Sequence, residues 1–119
     1  IGRLSAYCGA VSAGVGAGAG IAYLKGGRFE TIAHTVVNAI AVTSGIICDG
    51  AKASCAAKIA ASVDAGLLGL AMFESGNQFF GGDGIVKKGV ENTIATVGKL
   101  ARIGMEQTDK EIIHLMMEA

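Results

Sequence analysis

The sequence predicts an all-α domain: a compact bundle of about five helices around a buried central helix rich in Gly and Ala. Three observations predict it. Apolar residues recur at helical spacing through most of the chain. No proline interrupts that rhythm. Turn-forming pairs, Gly26-Gly27, Asp49-Gly50 and the glycines between 76 and 84, divide the apolar stretches into segments of ordinary helix length.

The first element lies within Ala6 to Leu24, a run without a single charge. It has the length of a membrane span, but its Ala and Gly contribute little to insertion, and Gly14, Gly16, Gly18 and Gly20 cost helix propensity unless close packing compensates. Small residues recur every four positions, as in Ser12, Gly16, Gly20 and in Ala10, Gly14, Gly18. That pattern suits a helix pressed by neighbours on all sides rather than one in lipid, so no membrane association is expected. The series from Gly14 to Gly20 has only a superficial likeness to a dinucleotide loop, because it lacks a preceding strand and a following acidic residue at the required distance.

Gly26-Gly27 ends this helix, and Arg28-Phe29-Glu30 opens a second. Positions 29, 32, 33, 36, 37 and 40 fall on one helical face, which decides against a strand despite the β-branched residues. A break follows from Ile46 to Lys52, and Ala53 to Phe73 reads as a third, Ala-rich helix. Residues 74–84 are expected to form a loop that is flexible unless something docks on it. From Ile85 to Arg102 the rhythm is again helical, with Val90, Ile94, Val97 and Ala101 as the apolar stripe and Lys87, Lys88, Glu91 and Lys99 off it. Thr108-Asp109-Lys110-Glu111 matches a capping box, which predicts a short last helix through Ile112, Ile113, Leu115 and Met116.

Composition limits the function. Ten basic and ten acidic side chains balance, Trp is absent and Phe and Tyr total six, so neither a basic patch nor a stacking platform for nucleic acid is expected. Disorder is excluded by 51% hydrophobic and 17% charged residues and a mean hydropathy of +0.52. A globule of this mass buries roughly 65% of its open-chain surface, enough for one core. The apolar material is nevertheless small, with 19 Gly against four Phe and four Met, so the chain is expected to lean on neighbouring protein. Together with a start at Ile1 this reads as a single domain, residues 1–119, belonging to a longer polypeptide. Its partners would be the upstream part of that polypeptide and a second copy in a homo-oligomer. Nothing at the start has the form of a secretory signal.

The cysteines carry the chemical signal. Cys8, Cys48 and Cys55 are odd in number, so a closed disulfide framework is impossible and a reducing, cytoplasmic setting is expected. They are read either as small buried hydrophobes or as ligands. In one unbroken helix Cys48 and Cys55 would stand about 10.5 Å apart along the axis, too far for a compact metal site. Asp49-Gly50 breaks the helix and lets both sulfurs turn inward, while Cys8 must reach them through the fold.

The segment from Gly45 to Lys58, GIICDGAKASCAAK, resembles the signature of the bacterial L-cysteine desulfidase family, also described as serine dehydratase-like alpha chains. The lead-in Arg3-Leu4-Ser5-Ala6-Tyr7-Cys8, the stretch Gly27-Arg28-Phe29-Glu30-Thr31-Ile32 and the ending from Met105 to Ile113 are similar to the same family in the same order. The resemblance covers essentially the whole chain and corresponds to the C-terminal part of the family's longer proteins.

What the resemblance implies is an oxygen-sensitive lyase with a 4Fe-4S cluster held by three cysteines, with the fourth iron open to substrate. By position, Cys8, Cys48 and Cys55 would be those ligands. An open iron acts as a Lewis acid on the β-thiol or β-hydroxyl of a small amino acid, whose elimination yields pyruvate and ammonia. The seven-residue step from Cys48 to Cys55 is narrower than in the related iron-sulfur L-serine dehydratases and favours the desulfidase branch. This segment alone is expected to be inactive, with most substrate-contacting groups upstream.

No residue stands out as the base. Asp49, Lys52, Lys58, His34 and His114 are candidates, yet each has a plainer reading: Asp49 as a turn former, the lysines as solvated, the histidines as helix-face residues. Two other readings compete. One is a structural zinc site using Cys8, Cys48, Cys55 and His34 or His114, although the short paired-cysteine spacing of such sites is missing. The other is a non-catalytic helical packing domain with inert thiols.

Overall fold

The computed structural model describes residues 1 and 5–118; Arg3 and Leu4 of the lead-in lie outside them. Five α-helices follow in order: α1 (Gly9–Leu24), α2 (Phe29–Thr43), α3 (Ser54–Glu74), α4 (Val90–Lys99) and α5 (Glu106–Met117), with a π-helical turn at Leu100–Gly104 between the last two. Among the described residues there is no strand, only one isolated antiparallel bridge between Tyr7 and Ile47.

α1, α2 and α3 pack against one another and form the body of the fold. Gly14 meets the backbone of Ser62 and Gly18 meets Gly66, so α1 and α3 run in the same direction. α2 returns between them, with Gly69 of α3 against Thr35 and Ala39. The series through Gly14 and Gly18 therefore has its physical explanation in backbone-to-backbone contact, whereas Gly16 and Gly20 face open space. α1 is pressed on two sides, along Val11, Gly14, Val15, Gly18 and Ala22, while Ser12, Ala13, Gly16 and Gly20 remain exposed.

Buried polar residues of α2 are internally satisfied. The Thr35 and Thr43 hydroxyls donate to the carbonyls four residues back, each at 2.7 Å. Asn38 joins three segments: its amide nitrogen donates to Gly69 O of α3 at 3.1 Å, and its Oδ1 accepts from Phe79 N at 3.0 Å. That second bond pins the stretch expected to be a flexible loop. Val86, 1% exposed, anchors it further.

The helix expected from Ile85 begins at Val90 instead. Val86 bonds back to Asp83 O and Gly82, while Gly89 takes φ +89°, a left-handed value that glycine tolerates and that stops a helix running through it. Thr93, fully buried, then ties the entry together, its hydroxyl donating to Lys87 O and Gly89 O and accepting from Lys87 N. The stripe of α4 is correspondingly Thr93, Val97 and Ala101, with Ile94 half exposed.

At its other end the same helix widens into the π turn, where Met105 N donates to Leu100 O at 2.9 Å. Ser5 accounts for the location, because its hydroxyl donates to Ala101 O at 2.8 Å and accepts from Tyr7 N at 3.0 Å. A side chain bonded into the carbonyl ladder is a known cause of such widening. The capping box is not used either. α5 starts two residues before Thr108, directly after the π turn, with no side-chain cap and with Lys110 paired to Glu106 at 2.9 Å.

The chain exposes 7127 Å², against about 5,900 Å² for a free-standing globule of its mass. Phe29, Ile59, Leu68, Phe80 and Leu115 contribute to that excess, and α5 has no fully buried residue. Among the described residues α3 is the one helix long and apolar enough to cross a membrane; only 28% of its apolar window is buried, and Lys58 and Asp64 interrupt its length.

Candidate functional site

The Tyr7–Ile47 bridge brings the first two cysteines together. Its bonds run from Cys8 N to Ile46 O at 3.1 Å and from Cys48 N to Ala6 O at 2.6 Å. Tyr7 and Ile47 therefore form the pair without mutual hydrogen bonds, and alternation along the two segments turns Cys8 and Cys48 to the same face, opposite Tyr7. Cys8 belongs to the apolar core, with Cys48 packed against that core.

Cys55 arrives by a tight loop. Gly50 has φ +92°, which reverses the chain after Asp49, and α3 begins at Ser54. The Cys55 thiol donates to Gly50 O and accepts from Lys52 N, both at 3.4 Å. Cys8 occupies the N-cap position of α1, without a side-chain cap bond, and Cys55 is the second residue of α3, so two of the thiols stand at helix N-termini. All three cysteines are free.

Lys58, one turn into α3, lies beside this group. Its Nζ donates to Ile47 O at 3.0 Å and to Asp49 Oδ1 at 2.6 Å, and its side chain is only 22% exposed. Lys52 also pairs with Asp49 from the solvent side. The two lysines hold the Asp49 carboxyl down to about 2, chiefly through hydrogen bonds from Lys52 and then Lys58. Asp49 in turn raises Lys58 above the ordinary lysine value, with smaller contributions from the charges of Cys8 and Cys55. A carboxylate this acidic and a lysine this firmly protonated are both poor proton acceptors at neutral pH. Asp49, Lys52 and Lys58 together form a brace around the turn that follows Cys48.

The histidines lie apart from the loop. His34 stacks on Phe73 with ring centroids 4.9 Å apart, and Phe73 is 18 residues beyond Cys55 on α3, about 27 Å along the axis. His34 therefore cannot complete a zinc site with the cysteines. His114 is exposed and stands 4.0 Å from Glu111 of its own helix. α5 does reach the loop, but through Met116, whose methyl packs over Gly50.

Among the described residues no three His, Cys, Asp or Glu side chains converge closely enough to share one metal ion. A four-iron cluster asks for a different arrangement, because each thiolate binds its own iron at a separate corner of the cube. Three soft thiols brought to one end of the bundle, with the single nearby carboxylate occupied by two lysines, are a donor set that fits a cluster in number and chemistry.

Tyr7, next to Cys8 in the chain, belongs to the hydrophobic core. It is 1% exposed, its hydroxyl has no partner among the described residues, and burial raises its pKa. It lines an apolar cavity of about 340 Å³ between α1, α2 and α4. A second cavity, about 420 Å³, lies near His34 and Phe79. None of the cysteines lines either one.

The serine dehydratase alpha chain family model matches residues 1–114. A UPF0597 protein of Desulfitobacterium hafniense is 66% identical over 117 residues, covering 98% of this chain and 27% of the relative. A UPF0597 protein of Treponema denticola is 52% identical over 118 residues, 99% of this chain and 27% of the relative. The UPF0597 protein YhaM of Salmonella choleraesuis is 46% identical over 114 residues, 96% of this chain and 26% of the relative. No solved structure matches. The chain spans about a quarter of the length of these curated relatives. With the family model matched from the first described residue into α5, the chain belongs to the serine dehydratase alpha chain family.

Proposed function

We propose that the chain is the cluster-bearing C-terminal domain of an iron-sulfur lyase that eliminates sulfide from L-cysteine, or water from L-serine, to give pyruvate and ammonia. Cys8, Cys48 and Cys55 would hold a 4Fe-4S cluster, whose open iron supplies Lewis-acid polarisation of the leaving group. The observation that carries the reading is the gathering of three motif cysteines at one end of the bundle, two by the Tyr7–Ile47 bridge and the third by the Gly50 turn.

In this reading the chain's own residues bind and position. The bridge fixes Cys8 against Cys48, and the α3 N-terminus presents Cys55. The substrate-binding groups and the base belong to the rest of a longer polypeptide, for which the exposed apolar side chains of α3 and α5 provide a docking face. An open cluster held by three thiolates, and an odd number of cysteines, suit a reducing, cytoplasmic setting.

Anaerobic reconstitution with iron and sulfide tests the ligand set in this chain, and the full-length Desulfitobacterium hafniense relative tests the activity. The expected result is a brown protein whose iron and acid-labile sulfide are lost on Cys48→Ser, together with sulfide and pyruvate release from L-cysteine by the relative. A relative that binds no iron, or whose equivalent cysteine variant keeps full activity, would leave a helical packing domain with inert thiols.

A further inference from the structure

We propose that Lys58 is a positioning residue of the thiol site, holding the chain on both sides of Cys48 and so fixing that cysteine relative to Cys55. This rests on the reading of the three cysteines as ligands. The geometry is specific: one ammonium reaches the carbonyl of Ile47 at 3.0 Å and the carboxylate of Asp49 at 2.6 Å, the residues immediately before and after Cys48. Lys58 also lies three residues after Cys55, one turn along the same helix. A rigid α3 therefore connects Cys55 directly to the clasp around Cys48.

The rest of the segment needs such a clasp. On the N-terminal side, the bridge holds it through two main-chain bonds, Cys8 N to Ile46 O and Cys48 N to Ala6 O. On the C-terminal side the chain turns at once through Gly50 into a loop tied back to α3 at Cys55, by Cys55 N donating to Lys52 O at 2.9 Å and by two longer contacts to the Cys55 sulfur, none of which reaches the main chain at Cys48. A lysine with three N–H donors satisfies two acceptors at once, which a neutral side chain of similar length does less strongly. Lys52 is no substitute: it pairs only with Asp49 and its side chain is 43% exposed.

The test compares K58Q, K58R, K52Q and D49N with the unsubstituted chain, with thermal unfolding as the folding control. Hydrogen exchange at the Cys48 amide, which donates to Ala6 O, is read first, without iron. Losing the clasp is expected to speed exchange there about tenfold in K58Q, with K58R and K52Q within about threefold of wild type. Iron, acid-labile sulfide and the visible spectrum are then read after anaerobic reconstitution. There K58Q is expected to retain less than about a fifth of the wild-type iron and K58R more than half.

Exchange in a folded K58Q equal to wild type overturns the proposal, whatever the iron content. If K58Q does not fold, D49N carries the test, and wild-type exchange in it overturns the proposal equally. A wild-type chain and relative that take up no iron would remove the cluster reading, while the exchange measurement would still decide whether Lys58 holds Cys48 in place.

Discussion

Gly18 of α1 and Gly66 of α3 touch through their backbones: a Cβ built on Gly18 would stand 2.7 Å from the Gly66 Cα. The parallel α1–α3 pair owes its closeness to this contact, and the contact separates glycines that look alike in sequence. Gly20, two residues on, faces open space. Gly18→Ala is expected to destabilise the fold by about 2 kcal/mol or more through overpacking against backbone. Gly20→Ala should stabilise it by about 0.5–1 kcal/mol through helix propensity. Urea unfolding of the two variants measures both, and equal effects would contradict the packing.

Asn38 makes the α2–α3 contact and the 75–89 loop depend on each other. Its replacement by Ala leaves Gly69 O and Phe79 N without their partner. The expected cost is about 1–3 kcal/mol, chiefly the penalty of the Phe79 amide left unpaired, because Gly69 O keeps its intrahelical donor within α3. Exchange of the Phe79 amide should rise more than that of amides in the middle of α3.

Tyr7 carries a buried hydroxyl without a partner among the described residues. Tyr7→Phe is expected to be neutral or stabilising by about 1 kcal/mol, because it removes an unpaired polar atom while keeping the ring. Tyr7→Ala is expected to cost about 3–5 kcal/mol. Denaturant midpoints compare the two.

The brace at Asp49 should respond to acid. Its carboxyl is held down to about 2 in the folded chain, from an ordinary 3.8. A depressed acid stabilises the fold fully above its unfolded pKa, and that contribution fades as pH falls through the folded value. The Asp49 brace is therefore complete above about pH 4 and lost towards pH 2. Lys58 has the opposite sign: raised above 10.5, it contributes fully below that value and is lost as pH rises beyond it. Following the Asp49 carboxyl carbon shift by NMR checks the acid limb, and a midpoint near 3.8 would show that the two lysines do not engage it.

Local signals in the sequence set the positions of α1, α2 and α3, because Gly26-Gly27 ends α1 and Gly50 turns the connection into α3 through backbone preferences that need no distant partner. The three cysteines were legible as one group for a related reason, since their motif surroundings are contiguous stretches of chain. Where a distant residue competes with a local pattern, the pattern loses. The start of α4 moves to Val90 because Val86 is buried and Gly89 takes a left-handed conformation, and the π turn follows from Ser5 bonding a carbonyl 96 residues away.

The sequence by itself determined a small-residue helical domain with three thiols and one sharp turn, since periodicity, glycine freedom and residue chemistry are local properties. Only the tertiary structure decided that Cys8 lies beside Cys48, that Lys58 clasps the chain around Cys48, and that His34 stands far from all three cysteines. Those relations depend on how α1, α2 and α3 stack, and the stacking is set by which glycines allow two backbones to touch.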